Sequence, residues 1–235
     1  MLKAQDIVLL LKLLVKPEHL KWSQNQLALH LCFSVSEVNA GIKRLNKSGL
    51  LMMGLASSPE RLYLPVFSAC EELLISAVKY MFPAQAGEYT CGIATSYAAP
   101  VFEKQIVIGQ DPIPVWPYAE GNQRGFSLEP LYSSVPKSVV QYPDQNFYDL
   151  LALIDVLRQG RARERNIALK LLKKKLSNDS RTTRAVSNLR MLEFIAPKLG
   201  TLKEEVVFLG GCATALSFIF AVFCLPKKLK FADTP

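Results

Sequence analysis

The chain has 235 residues, enough for one full domain and a smaller unit that each bury a core. Its formal charge of +8 suits an anionic partner, either nucleic acid or a membrane surface, and the excess is concentrated: from Arg158 to Arg190 eleven Lys and Arg stand against Glu164 and Asp179 alone. Five scattered cysteines (Cys32, Cys70, Cys91, Cys212 and Cys224), with no C-x-x-C pair and only His19 and His30 beside them, argue against a zinc or disulfide framework and for a reducing cytoplasm.

Near the start, the apolar run Ile7 to Leu11 is closed off by Asp6 and Lys12 too early for a signal peptide, so secretion is not expected. Ile7, Leu10, Leu11 and Leu14 recur at helical spacing and Pro17 stops them, which predicts a helix over Ala4 to Val15 with one apolar face. Ser23 with Gln26 forms a capping box that opens a second helix carrying Leu27, Ala28 and Leu31 inward. A second box, Ser34 with Glu37, opens a third helix in which Val35, Val38, Ile42 and Leu45 face the core, up to Gly49.

Two capped helices across so short a turn are what a helix-turn-helix requires, because the second must stand proud of the first to enter a major groove. The outward positions are then Ser36, Asn39, Ala40, Lys43, Arg44 and Lys47. Early Ser and Asn can reach base edges, and later Lys and Arg suit phosphates. Leu50 to Met53, a polar break at Gly54 to Pro59, and Arg61 to Leu64 read as a hairpin, the wing, with Arg61 beside its tip. The predicted DNA-contacting set is Ser36, Asn39, Lys43, Arg44, Lys47 and Arg61; a docking or dimerisation domain is the alternative for the same elements.

Ser68 and Glu71 predict the start of a helix over Leu73 to Met81 that Pro83 ends and whose apolar stripe can pack on the winged domain or on a second copy of it. From Tyr89 to Pro143 prolines and glycines break any long element, giving an irregular or short-strand region in which Trp116, Tyr118, Phe126 and Tyr132 anchor extended segments on a core, with a loop-rich binding surface as the alternative. No paired carboxylates, Ser/His/Asp set or phosphate-cradling glycine loop stands out there. Asp149 to Leu176 is the strongest helical signal, with a kink or a close contact expected at Gly160. Its Arg158, Arg161 and Arg165 fall on one face, as a second phosphate-contacting surface or as a solvated face paired with Asp155 and Glu164.

The runs PVWPYAEGNQRGFSLEPLYSSVP (Pro114 to Pro136) and LLALIDVLRQGRARERNIALKLL (Leu150 to Leu172) resemble a bacterial winged helix-turn-helix family encoded beside nucleotidyltransferase toxins of the abortive-infection type. The resemblance covers about 175 residues and implies an antitoxin or autorepressor; it carries no ligand site. From Met191, MLEFIAPKLGTLKEEVVFLGGCATAL resembles the opening of that nucleotidyltransferase, with a glycine turn that in the enzyme faces nucleotide phosphates. The acidic pair that binds magnesium in the enzyme has no counterpart, since Asp233 is the only acid after Thr214, so residues 191–216 read as a truncated, read-through fusion. Read from the residues alone, Val206 to Leu225 is an uncharged stretch of twenty that can span a bilayer, flanked by Lys227, Lys228 and Lys230.

The sequence thus predicts a mainly helical α+β protein with an N-terminal winged helix-turn-helix (1–66), a helical and loop-rich regulatory or dimerisation region (67–176) ending in a long basic helix, a linker (177–190) and an apolar tail (191–235). The expected function is a cytoplasmic, dimeric, DNA-binding transcriptional regulator with no catalytic residue, metal or cofactor. Double-stranded DNA and a nucleotidyltransferase toxin are its expected partners. A nucleotidyltransferase-related fragment and a tail-anchored membrane regulator are the alternatives.

Overall fold

The computed structural model describes residues 1–15, 23–54, 62–107, 109 and 111–177. They form a mainly helical α+β structure with two small sheets. Helix α1 (Ala4–Val15) spans the predicted residues, but it has no solvated face: every residue from Asp6 to Val15 is buried. A helix this uniformly apolar lowers its free energy by being covered on all sides, and its two charges are buried only because each has a partner. Asp6 meets Arg44, and Lys12 meets Asp144 at 2.8 Å with its ammonium also 4.7 Å from the Phe147 ring centroid.

Helices α2 (Gln24–Leu31) and α3 (Val35–Lys47) begin at Ser23 and Ser34, and both capping boxes are closed in both directions. Cys32 ends α2 in the left-handed conformation, turning the chain into α3 within three residues. Leu27, Ala28, Leu31, Val38, Ile42 and Leu45 are buried as expected, whereas Val35 is 45% exposed. Val35 occupies the first turn, before α3 meets the core, which corrects its assignment to the inner face. At Gly41 an added Cβ would press on Leu9 and Asp6, so the missing side chain lets α3 lie close on α1. Strands β1 (Leu51–Gly54) and β2 (Leu62–Pro65) follow as an antiparallel hairpin with Leu51 opposite Pro65 and Met53 opposite Tyr63.

Next, α4 (Phe67–Glu72) continues through one π turn (Leu73–Ala77) into α5 (Val78–Met81). The run therefore starts at Phe67 on the heels of β2 and without the side-chain cap expected from Ser68 and Glu71. The segment expected to be loop-rich carries more regular structure than predicted. Strands β3 (Ala86–Ala94), β4 (Ile113–Pro117) and β5 (Gln123–Leu128) each pair with the other two, β3 antiparallel to both and β4 parallel to β5, so the three close on themselves. So tight a closure needs a backbone without a side chain: at Gly125 an added Cβ would run into the Ile113 carbonyl. Trp116 and Val115 of β4 are both buried.

Short helix α6 (Val135–Gln141) leads to α7 (Gln145–Gln159), capped by Asp144 and buried at Phe147 and from Asp149 to Leu157. Helix α7 packs on α1 and α5. The predicted single helix from Asp149 is instead two: α7 stops at Gly160, whose backbone is extended, and a new helix, α8, runs over 162–177. Glu164 restarts it by accepting the Arg161 N–H at 2.9 Å. One core joins α1, α2, α3 and the hairpin to α7 and α8. Arg61, most of the 177–190 linker, the 191–216 segment and Val206 to Leu225 lie outside the described residues. No described helix is long and apolar enough to cross a membrane.

Candidate nucleic-acid interface

Helix α3 supplies the first candidate surface. With Val38, Ile42 and Leu45 turned inward, Ser36, Lys43 and Lys47 are exposed on the other side, accompanied by Val35 and Asn46. The other predicted contacts on α3, Asn39 and Arg44, are engaged. Asn39 is half-buried, and its amide donates to Gln24 Oε1 at 3.0 Å, while Gln24 donates to the Tyr63 hydroxyl at 2.9 Å. That relay fixes the hairpin, α2 and α3 relative to one another.

Arg44 is a structural anchor, a correction to its place among the DNA contacts. Its Nε and one terminal nitrogen each donate to a different Asp6 oxygen at 2.7 Å, a bidentate fork onto a carboxylate with no exposed side-chain surface. The bonds to Asp6 hold the guanidinium more firmly charged than an isolated arginine. Releasing it to a phosphate would strand a buried anion.

The turn between α2 and α3 is clamped by residues far along the chain. Tyr132 donates its hydroxyl to Glu37 at 2.6 Å and meets the Phe33 ring edge-on at 5.1 Å, Ser134 donates to the Leu31 carbonyl at 2.8 Å, and Tyr142 stacks at a tilt on His30. The Tyr132 hydroxyl and the two Ser34 donors hold the Glu37 carboxyl below the usual carboxylate range, so it carries a full charge at the start of α3. That charge favours the helix dipole and disfavours a phosphate at the same end, leaving Lys43 and Lys47 as the cationic part of α3.

The second candidate surface also differs from expectation. Arg158 is buried: its guanidinium donates to Asp155 at 2.7 Å, to the Phe82 carbonyl at 2.6 Å and to the Glu129 carbonyl at 3.1 Å. The Asp155 carboxylate accepts also from Thr95 and from the Trp116 indole. This hub ties α7 to β4, the end of β3 and the end of α5, so Arg158 belongs to the interior and cannot reach a phosphate. Arg161 and Arg165 are exposed, and a further row of exposed cations, Arg163, Lys170, Lys173 and Lys174, runs along α8 at helical spacing.

A cleft of about 360 Å³ opens where α7 gives way to α8, lined by Ser96, Tyr97, Phe126, Arg161 and Glu164 among others. Ser96 is held there at φ 51°, an unusual conformation for a side-chain-bearing residue. Among the described residues no group of three or more His, Cys, Asp or Glu is placed to hold a metal ion. No known family profile, curated protein or solved structure matches the chain.

Proposed function

We propose that α1, α2, α3 and the β1–β2 hairpin form a winged helix-turn-helix and that the chain is a DNA-binding transcriptional regulator, not an enzyme. The observation that carries this reading is the division of α3. Its aliphatic side is locked on α1 by Val38, Ile42, Leu45 and the Gly41 contact, while Ser36, Lys43 and Lys47 stand in solvent on a helix of thirteen residues opened by a closed capping box. A helix held in this way can enter a major groove without disturbing the core behind it. Ser36, and Asn39 where Gln24 yields it, are the base-reading candidates; Lys43 and Lys47 meet phosphates. An antitoxin or autorepressor role acting as a dimer in the cytoplasm is the form of regulation that the family resemblance suggests, with a nucleotidyltransferase toxin as the protein partner.

The test is a mobility-shift titration of the full chain against the DNA upstream of its own reading frame over a range of salt. Lys43→Ala with Lys47→Ala lowers affinity for every duplex and reduces the slope of log K against log salt by about 0.9 for each phosphate that is no longer neutralised. Binding indistinguishable from the parent would reject the placement of DNA on α3.

A further inference from the structure

We infer that the outer face of α8 is a second, sequence-independent binding surface for the phosphate backbone of a DNA duplex. The inference rests on the reading of the chain as a DNA binder and adds where much of its electrostatic affinity resides. Helix α8 is divided lengthwise. Ala168, Leu172 and Leu176 are buried in the core, while Arg163, Lys170, Lys173, Lys174 and Ser177 are exposed. From Lys170 to Ser177 the exposed positions 170, 173, 174 and 177 follow one another at helical spacing, and Arg163 lies two turns before Lys170, so they form one stripe along the helix.

Among the described residues the stripe stands in a strong surplus of positive charge. Residues 158–177 hold eight Lys and Arg and one acid, whereas residues 1–157 hold twelve Lys and Arg and fourteen acids. The single acid, Glu164, is committed to the Arg161 N–H, and Lys175 is drawn aside to Asp149 and Asn146. Among the described residues, Arg163, Lys170, Lys173 and Lys174 take part in none of the ion pairs, which join Lys12, Arg44, Arg158 and Lys175 to aspartates. Four uncompensated cations on one rigid element repel one another, and a linear polyanion relieves that repulsion by releasing its own condensed counterions.

Spacing and composition favour a duplex over a membrane. At about 1.5 Å of rise per residue, Arg163 and Lys170 are roughly 10 Å apart along the axis and Lys170 and Lys174 roughly 6 Å. These separations match about three and two steps of a strand that rises about 3.4 Å per nucleotide. A helix that lies on a lipid surface needs an apolar flank to insert beside its cations. The apolar flank of α8 is already buried in the protein core, so only the cationic side is available.

The experiment measures binding of the full chain to a labelled random-sequence DNA duplex by fluorescence anisotropy across a salt series. Lys170, Lys173 and Lys174 are changed together to Gln, which keeps helix propensity, and circular dichroism confirms an unchanged helix content. The slope of log K against log salt is expected to fall by about 2 to 3, with at least a tenfold loss of affinity at low salt. An unchanged slope overturns the inference. Lys43→Ala with Lys47→Ala is run beside it: if that pair changes nothing while the α8 variant weakens binding, the α3 reading falls and this one stands, and the reverse pattern overturns this one alone. Binding to phosphatidylserine vesicles in place of the duplex, or no duplex binding by the parent at any salt, also overturns it.

Discussion

Replacing Arg158 by Met removes the cation from the centre of the interior and leaves most of its volume. Asp155 would keep its bonds from Thr95 and Trp116 but lose its charged partner, and the Phe82 and Glu129 carbonyls would lose the Arg158 donor. With side-chain exposures of 3% for Arg158 and 1% for Asp155, little water can substitute. Breaking a pair buried to this degree costs roughly 3–5 kcal/mol. In a domain of this size that lowers Tm by roughly 6–20 °C, at roughly 2–4 °C per kcal/mol.

The loss depends on pH in a definite sense. Burial already holds the Asp155 carboxyl above its ordinary value, against the pull of Arg158, Thr95 and Trp116. A group raised in this way contributes stability that is full below the unfolded value of about 4 and is lost as pH rises through the folded value. Without Arg158 the folded value rises further, so the variant is penalised more at neutral than at mildly acid pH. Adding Asp155→Asn to Arg158→Met recovers part of the loss, because the stranded charge is gone. Thermal unfolding followed by circular dichroism at several pH values measures all three; a loss below about 1 kcal/mol, or one equal at every pH, would refute the hub.

Arg44→Ala strands the Asp6 carboxylate, which has no exposed side-chain surface and would keep only the Lys3 N–H as a donor. A cost of about 2 kcal/mol is expected, below the roughly 3–5 kcal/mol of a fully buried pair because Arg44 itself is partly solvated. Thermal unfolding reads that loss, while duplex affinity measured well below Tm stays close to the parent's. Gly125→Ala drives a methyl into the Ile113 carbonyl, a backbone atom that cannot swing aside. The expected cost is about 3 kcal/mol, seen as a lower urea midpoint with Trp116 fluorescence reporting the sheet.

The parts of the fold legible in the sequence are those with local causes. The two capping boxes and the helical spacing of Val38, Ile42 and Leu45 place α2 and α3 because each signal acts within four residues. The hairpin and α1 are located by the same kind of cue, with Gly and Pro as punctuation. What the sequence hides depends on residues distant in the chain. Nothing near Arg44 announces Asp6, nothing near Glu37 announces Tyr132, and nothing near Arg158 announces Phe82. Each of these pairings reassigns a polar residue that spacing alone leaves facing solvent. Short strands are expected in the middle region, but their closure into a three-stranded unit is not legible, since its prolines and glycines look like breaks until β4 and β5 are seen to need Gly125 for close parallel pairing. At Gly160 the sequence does carry a signal: the backbone there lies so close to Val156 that no side chain fits, and α7 ends on it before α8 begins afresh.

The proposal that α3 reads DNA is tested most directly by selecting bound duplexes from a fully randomised pool with the full chain, in parallel with Ser36→Ala and with Asn39→Ala. The account predicts that the parent enriches a defined sequence, and that Ser36→Ala loses preference at a subset of its positions while overall affinity stays within about tenfold, as removing one base-edge interaction of about 1–3 kcal/mol permits. A pool that stays random after repeated selection, or the same enriched sequence from all three proteins, would contradict it.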